Sequence, residues 1–287
     1  MRRLPGLPVP GKLTPVSQDG RLGVIGNISR DHVSYPTGLG AWLLGGAALH
    51  VALAATRAGL PAAPVSVIGT DLGWVTSDPR LAGLDMSGVK TVPGPSCTFG
   101  LTYDHDGTLT GTTASFGVSR CLTAHALTLL GSRPAWHVCC RRPLDAQLVL
   151  GHLASAGTPF SADFHLASAA DLMPATRTAL TRATAGFVNA TEFAVLSQTA
   201  DVRDLPLVVV SDGPRPAVTM RHGQITATAA PPATAVTEVT GAGDTLAGAF
   251  LAAAAAGLDD QDALQAAVSA ASAAVAGTGL AIPGPGG

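Results

Sequence analysis

Lysine is all but missing from this chain, with Lys12 and Lys90 the only two. Arginine carries nearly all the positive charge, and 17 basic against 19 acidic residues leave a formal net charge of −2. No basic cluster stands out, so composition argues against a nucleic-acid-binding surface. Charged residues of both signs make up only 13% of the chain while apolar ones reach 47%, so material for a core is ample. Cysteine is equally sparse. Cys97, Cys121, Cys139 and Cys140 show no metal-ligand spacing, and no signal peptide precedes them, so reduced thiols and a cytoplasmic location are expected. A long hydrophobic run is missing too: the longest, Leu246 to Leu258, is rich in alanine and too short to cross a bilayer, so no membrane partner is expected. The length, 287 residues, suits one large α/β domain or such a domain with a small appendage.

Chemistry concentrates in Glu238-Val-Thr-Gly-Ala-Gly-Asp-Thr-Leu-Ala-Gly-Ala-Phe250. This stretch reads as a loop running into the first turn of a long helix. Gly241, Ala242 and Gly243 have almost no side chains, so their amides can approach an anion closely, and the helix N-terminus favours negative charge there. Asp244 would lie beside that anion. A carboxylate so placed is suited to take a proton from a hydroxyl as it attacks phosphorus. Two plainer explanations stand beside this one: glycine-rich triplets arise by chance in a chain with 34 glycines, and an Asp near a helix start is a common cap.

Taken in order, residues 1–20 are rich in Pro and Gly and predict a flexible N-terminal extension. Gly6 and Gly11-Lys12 approximate a phosphate-binding loop, but Leu13 replaces the required Ser or Thr and no strand precedes. Residues 21–26 predict the first strand, with Asp31 just beyond it, where open α/β sheets bind ligands. The same turn lacks Gly-x-Gly-x-x-Gly, which excludes a dinucleotide-dependent oxidoreductase. Gly45-Gly46 precede a helix over 47–58 and offer bare backbone to a polar ligand or to tight packing. A strand is expected at 64–69. Residues 97–103 and 108–112 alternate around a turn and predict a hairpin. With residues 32–37 that hairpin makes a small sheet suited to act as a lid, on which Phe99 or Tyr103 faces a ligand or simply packs.

From residue 122 helices (near 122–131, 144–156, 171–184 and 191–198) alternate with strands (135–140, 159–163, 186–189 and 206–211). That rhythm predicts a parallel sheet covered on both faces. Arg141, Asp163, Asn189 and Ser211 follow strands, and right-handed crossovers would bring them to one sheet edge. A hairpin over 216–228 and helices near 241–256 and 260–276 complete the pattern.

In this order the motifs of residues 21–280 resemble the ribokinase or PfkB family of ATP-dependent carbohydrate and nucleoside kinases. Glu238-Val-Thr-Gly-Ala-Gly-Asp244 matches its C-terminal signature, and Gly45-Gly46 its double-glycine element. Asp31 matches its sugar-binding Asp, Asn189-Ala-Thr-Glu192 its Asn-x-x-Glu, and Ser211-Asp-Gly213 approximates its nucleotide loop. The resemblance implies a three-layer α/β sandwich with a mainly parallel central sheet and a small β lid from segments near 32–44 and 96–113, closing with a tail at 281–287. It also implies an ATP- and Mg²⁺-dependent phosphotransferase acting on a hydroxyl of a small sugar, polyol or nucleoside. Asp244 would be the base, and the amides of Gly241, Ala242 and Gly243 the anion hole. Asp31, Gly45, Gly46, His50, Phe99 and Arg141 would meet the acceptor. Asn189, Glu192, Ser211 and Gly213 would meet the nucleotide, Glu192 reaching the metal through water. A homodimer through the lid is a further implication. Four residues depart from the family: His50 for a frequent Asn, Glu238-Val239 for Asp-Thr, and Pro216 for a Gly. They motivate the alternative of a non-catalytic binding protein on the same fold.

Overall fold

The computed structural model describes residues 21–36, 40–105 and 109–282. The expected N-terminal extension, the phosphate-loop near miss, the hairpin tip and the last residues of the tail lie outside that set.

β1 (Leu22–Ile25) opens the main sheet. The chain then leaves it for β2 (Ser29–Ser34) and β3 (Ala41–Gly45) of a second sheet before returning through α1 (Ala47–Arg57) to β4 (Ala62–Gly69). Short 3-10 turns lead to β5 (Val89–Val92), and the second sheet is completed by β6 (Cys97–Tyr103) and β7 (Leu109–Ser115). The rest alternates: α2 (Leu122–Leu127), β8 (Ala135–Cys140), α3 (Ala146–Ala156), β9 (Phe160–Phe164), α4 (Leu166–Leu180), β10 (Ala185–Asn189), α5 (Ala190–Thr199) and β11 (Val208–Asp212). The hairpin β12 (Arg215–Arg221) and β13 (Gln224–Ala229) precedes α6 (Ala242–Ala255) and α7 (Asp260–Val275).

The main sheet runs β13-β12-β11-β10-β9-β8-β1-β4-β5, parallel from β11 to β5 and antiparallel in its closing hairpin. Its inner strands are buried on both faces, as β1, β4 and β9 show throughout their lengths. One core packs α1, α6 and α7 on the first face; the other packs α2, α3, α4 and α5 on the second. The three layers follow from that segregation. Small residues set the spacing: Gly248 of α6 lies against the Val51 carbonyl of α1, where a Cβ would overlap.

The second sheet has the order β3-β2-β6-β7, with β2 and β6 parallel and both edges antiparallel. Several expectations shift here. Asp31 does not follow β1; it sits within β2, paired in register with Leu43 and Phe99, because the chain crosses to the second sheet by residue 29. The apolar run Trp42-Leu43-Leu44 forms β3, within the segment near 32–44 expected to build the lid. Residues 281 and 282 are not a free tail: Ala281 bridges to Leu43 and the Ile282 amide donates to the Trp42 carbonyl. α4 begins at Leu166 rather than near 171, capped by His165 and carrying Pro174 in its interior.

Candidate active site

The parallel strands end along one edge of the main sheet, and the lid sheet stands over that edge. Between them lies a cavity of about 340 Å³, within the size range of small-molecule sites. Asp31, from the lid, and Asp244, from the first turn of α6, both line it. So do Gly46, His50, Phe99, Arg141, Asn189, Glu192, Ser211 and residues 241–243. Gly45 and Gly213 do not. Gly45 lies under Asp31, and a Cβ there would overlap that carboxylate. Its bare backbone makes room for Asp31 instead of facing the cavity.

Gly241 adopts a left-handed conformation, φ 78°, that reverses the chain into α6, with the His50 ring packed against it. The Ala242 amide donates to the Val239 carbonyl at 3.2 Å within the turn. The amides of Gly241, Gly243 and Asp244 have no such partner among the described residues.

Asp31 accepts a 2.6 Å hydrogen bond from the Ser29 hydroxyl. Burial nevertheless raises its pKa from 3.8 to about 7, aided by the nearby negative charge of Asp244. At the opposite wall a single guanidinium nitrogen, Arg141 Nη2, donates to Asp163 Oδ2 at 2.6 Å and to Asp244 Oδ1 at 3.0 Å. Burial opposes charge on Asp244, but the Arg141 guanidinium and a hydrogen bond from Asp163 outweigh it and hold Asp244 below its ordinary range. Burial pushes Asp163 the other way, reinforced by Asp244. Of this coupled pair Asp163 keeps a proton more readily, and Asp244 carries the negative charge. His50 is buried and its pKa is lowered, so it is a neutral imidazole at neutral pH.

Asn189 caps α5, its Oδ1 accepting from the Glu192 amide at 2.9 Å while Glu192 Oε2 accepts from the Asn189 amide at 2.9 Å. This is a reciprocal capping box. It pins both side chains at the cavity wall, with Ser211 on the neighbouring strand. Their donors are hard oxygens, suited to Mg²⁺ held through water, and no cysteine lines the cavity.

Asp163 and Ser29 have a larger part in this geometry than the sequence suggests. Asp163 stands in a strand-end position that already flags it, whereas its partners at 141 and 244 are visible only in three dimensions. His137, Cys139 and Asp163 place donor atoms within 4.8 Å of one another beneath the site. His137 Nδ1 is joined to the Ser161 hydroxyl at 2.8 Å, and burial lowers the imidazole to about 3.

A family model described as pfkB family carbohydrate kinase matches residues 43–285. The chain belongs to that family. A curated relative, a cytidine kinase of Thermococcus kodakarensis, is 36% identical over 86 residues, a match spanning 30% of this chain and 31% of that one. Among solved structures, a nucleoside kinase of Burkholderia thailandensis in complex with inosine superposes with a TM-score of 0.76 at 20% identity, covering 90% of this chain and 92% of that one. A ribokinase of Cryptococcus neoformans in complex with ADP gives 0.75 at 18% identity, covering 91% and 96%. Both show that the fold is ribokinase-like. Among the described residues no helix is long and apolar enough to cross a membrane, and the four cysteines are free thiols.

Proposed function

We propose that this protein is an ATP- and Mg²⁺-dependent kinase that phosphorylates a hydroxyl of a small neutral acceptor, a nucleoside in preference to a free sugar or polyol. The observation that carries this reading is the meeting of Asp31 and Asp244, far apart in sequence, in one cavity with the Gly241 turn.

In this reading the acceptor's hydroxyls bond to Asp31, and the reacting hydroxyl gives its proton to Asp244 Oδ. The depressed pKa of Asp244 keeps it ready to accept at neutral pH. The free amides of Gly241 and Gly243 and the N-terminus of α6 face the charge that develops on the transferring phosphoryl group. Arg141 keeps Asp244 charged and oriented. Asn189 and Glu192 would hold Mg²⁺ through water, where it would neutralise charge on the phosphates, and Ser211 would meet the nucleotide. The lid excludes water from the reacting centre.

Two features support a nucleoside. Beside Asp31 the lid side of the cavity presents an apolar stretch of Phe99, Leu101, Tyr103, Leu109, Ala114 and Phe116. Phe99 and Phe116 meet edge to face at 6.5 Å, a wall suited to a flat base more than to a free polyol. Both guanidinium groups at the cavity are also already engaged, Arg141 by Asp163 and Asp244 and Arg142 by Asp171. Such a site disfavours an acceptor that is itself phosphorylated. The relatives named for cytidine and inosine agree with this choice.

The test is ATP-dependent phosphorylation of a panel of free nucleosides, pentoses, hexoses and inositols. Turnover with at least one nucleoside, at a kcat/KM above that of every sugar, is expected. Higher kcat/KM on a sugar overturns the acceptor assignment, and no turnover on any member overturns the kinase reading.

A further inference from the structure

The chain holds only two tyrosines, and both sit in the lid. Tyr103 ends β6, and Tyr35 follows directly on β2. Because β2 and β6 are parallel with Ser34 opposite Thr102, the next residue on each strand brings the two rings together. They stack at 5.2 Å with an interplanar angle of 17°. Both hydroxyls are spent on one short segment, residues 238–240. Tyr35 donates to Glu238 Oε1 at 3.0 Å, and its oxygen lies 3.4 Å from the Val239 amide that donates to it. Tyr103 is joined to the Thr240 hydroxyl at 3.0 Å.

That segment immediately precedes the Gly241 turn. Glu238 Oε1 also accepts from the Thr240 amide at 2.8 Å, which closes the segment on itself. Its other side is tied to the end of α7, where the amides of Thr237 and Glu238 both donate to the Val275 carbonyl. The loop is therefore held from the main domain at one end and from the lid at the other. Glu238 and Val239 depart from the family's commoner Asp-Thr, and Glu238 is the carboxylate that receives Tyr35. Burial raises the pKa of both tyrosines, that of Tyr103 to about 12, so both hydroxyls keep their protons across the working range.

Resting on the kinase reading above, we propose that Tyr35 and Tyr103 are positioning residues. They form a latch that ties the seated lid to the 238–240 segment and so fixes the Gly241 and Gly243 amides and the start of α6. Neither ring hydroxyl reaches the reacting atoms in this scheme. Its effect runs through Glu238 and Thr240 into the turn. The lid then does more than shut out water: its seating sets the catalytic loop.

The double variant Tyr35→Phe/Tyr103→Phe removes both hydroxyls while keeping the rings and their stack. Three hydrogen bonds bear on the loop, that from the Val239 amide a long one at 3.4 Å, so kcat is expected to fall about tenfold, with KM for ATP and for the acceptor unchanged within about threefold. Hydrogen exchange of the 238–244 amides in the ligand-free protein is expected to quicken about tenfold, with the main-sheet strands unaffected. Wild-type kcat together with wild-type exchange at 238–244 overturns the latch. So does a variant whose exchange rises evenly across the whole lid and whose acceptor KM rises in step, since that is a loosened lid and not a released loop. If the wild-type protein shows no turnover, the kinase reading falls, and exchange at 238–244 decides the latch by itself.

Discussion

Replacing Asp31 with Asn should make the protein more stable and less able to hold its acceptor, with a pH dependence that identifies the cause. Burial raises the Asp31 pKa from 3.8 to about 7. The folded state therefore keeps a proton there that the unfolded chain releases between pH 4 and 7. Through that window stability is lost as pH rises, because the unfolded state gains from ionisation first. At 1.36 kcal/mol per unit, the charged carboxylate costs on the order of 4 kcal/mol once pH exceeds 7. Asn copies the shape of the protonated acid without the charge. The variant should match the wild type near pH 4 and gain progressively, its advantage growing by roughly 2–3 kcal/mol between pH 5 and pH 8. Urea unfolding at both pH values reads this directly, provided the m-values agree. A stability difference that does not change with pH, or that favours the wild type more at pH 8, refutes the burial argument. The same substitution should raise acceptor KM far more than ATP KM, a trade of stability against function common at active sites.

Two other substitutions probe the neighbouring walls. Gly45→Ala places a methyl group on the Asp31 carboxylate, so acceptor KM should rise at least tenfold, and unchanged kinetics would show that Asp31 has no fixed seat. Arg141→Met leaves Asp163 and Asp244 buried without their shared cation. A loss of about 3–5 kcal/mol in unfolding free energy is expected, together with an acid limb of kcat/KM moved to higher pH as Asp244 loses its stabilising charge; an unmoved limb would argue against Arg141 as the group that keeps the base ionised.

The layered fold is legible in the sequence because buried parallel strands leave long apolar runs separated by helical stretches, and β8 to β11 fall where that rhythm places them. The turn at 241–244 is legible for a related reason: its amides and its carboxylate are contiguous, so one local motif holds all of them. What the sequence hides is pairing across distance. The shared Nη2 of Arg141 joins residues 22 and 103 positions away, and no local pattern announces either partner. The second sheet is legible as a small lid, but the place of Asp31 within it is not: the sequence sets Asp31 just beyond the first strand, whereas it lies in β2 with Gly45 bare beneath its carboxylate. Asn189 and Glu192 show a different ambiguity. Their spacing serves a helix cap as well as a metal site, and the structure uses it for the cap while leaving both residues at the cavity wall.

The most direct measurement is turnover and binding by Asp244→Asn. With the amides and the cavity walls kept, ATP and the acceptor should still bind, with dissociation constants within about threefold of wild type by calorimetry, while kcat falls by about 10²–10⁴. Turnover within a few-fold of wild type would contradict the assignment of Asp244 as the base.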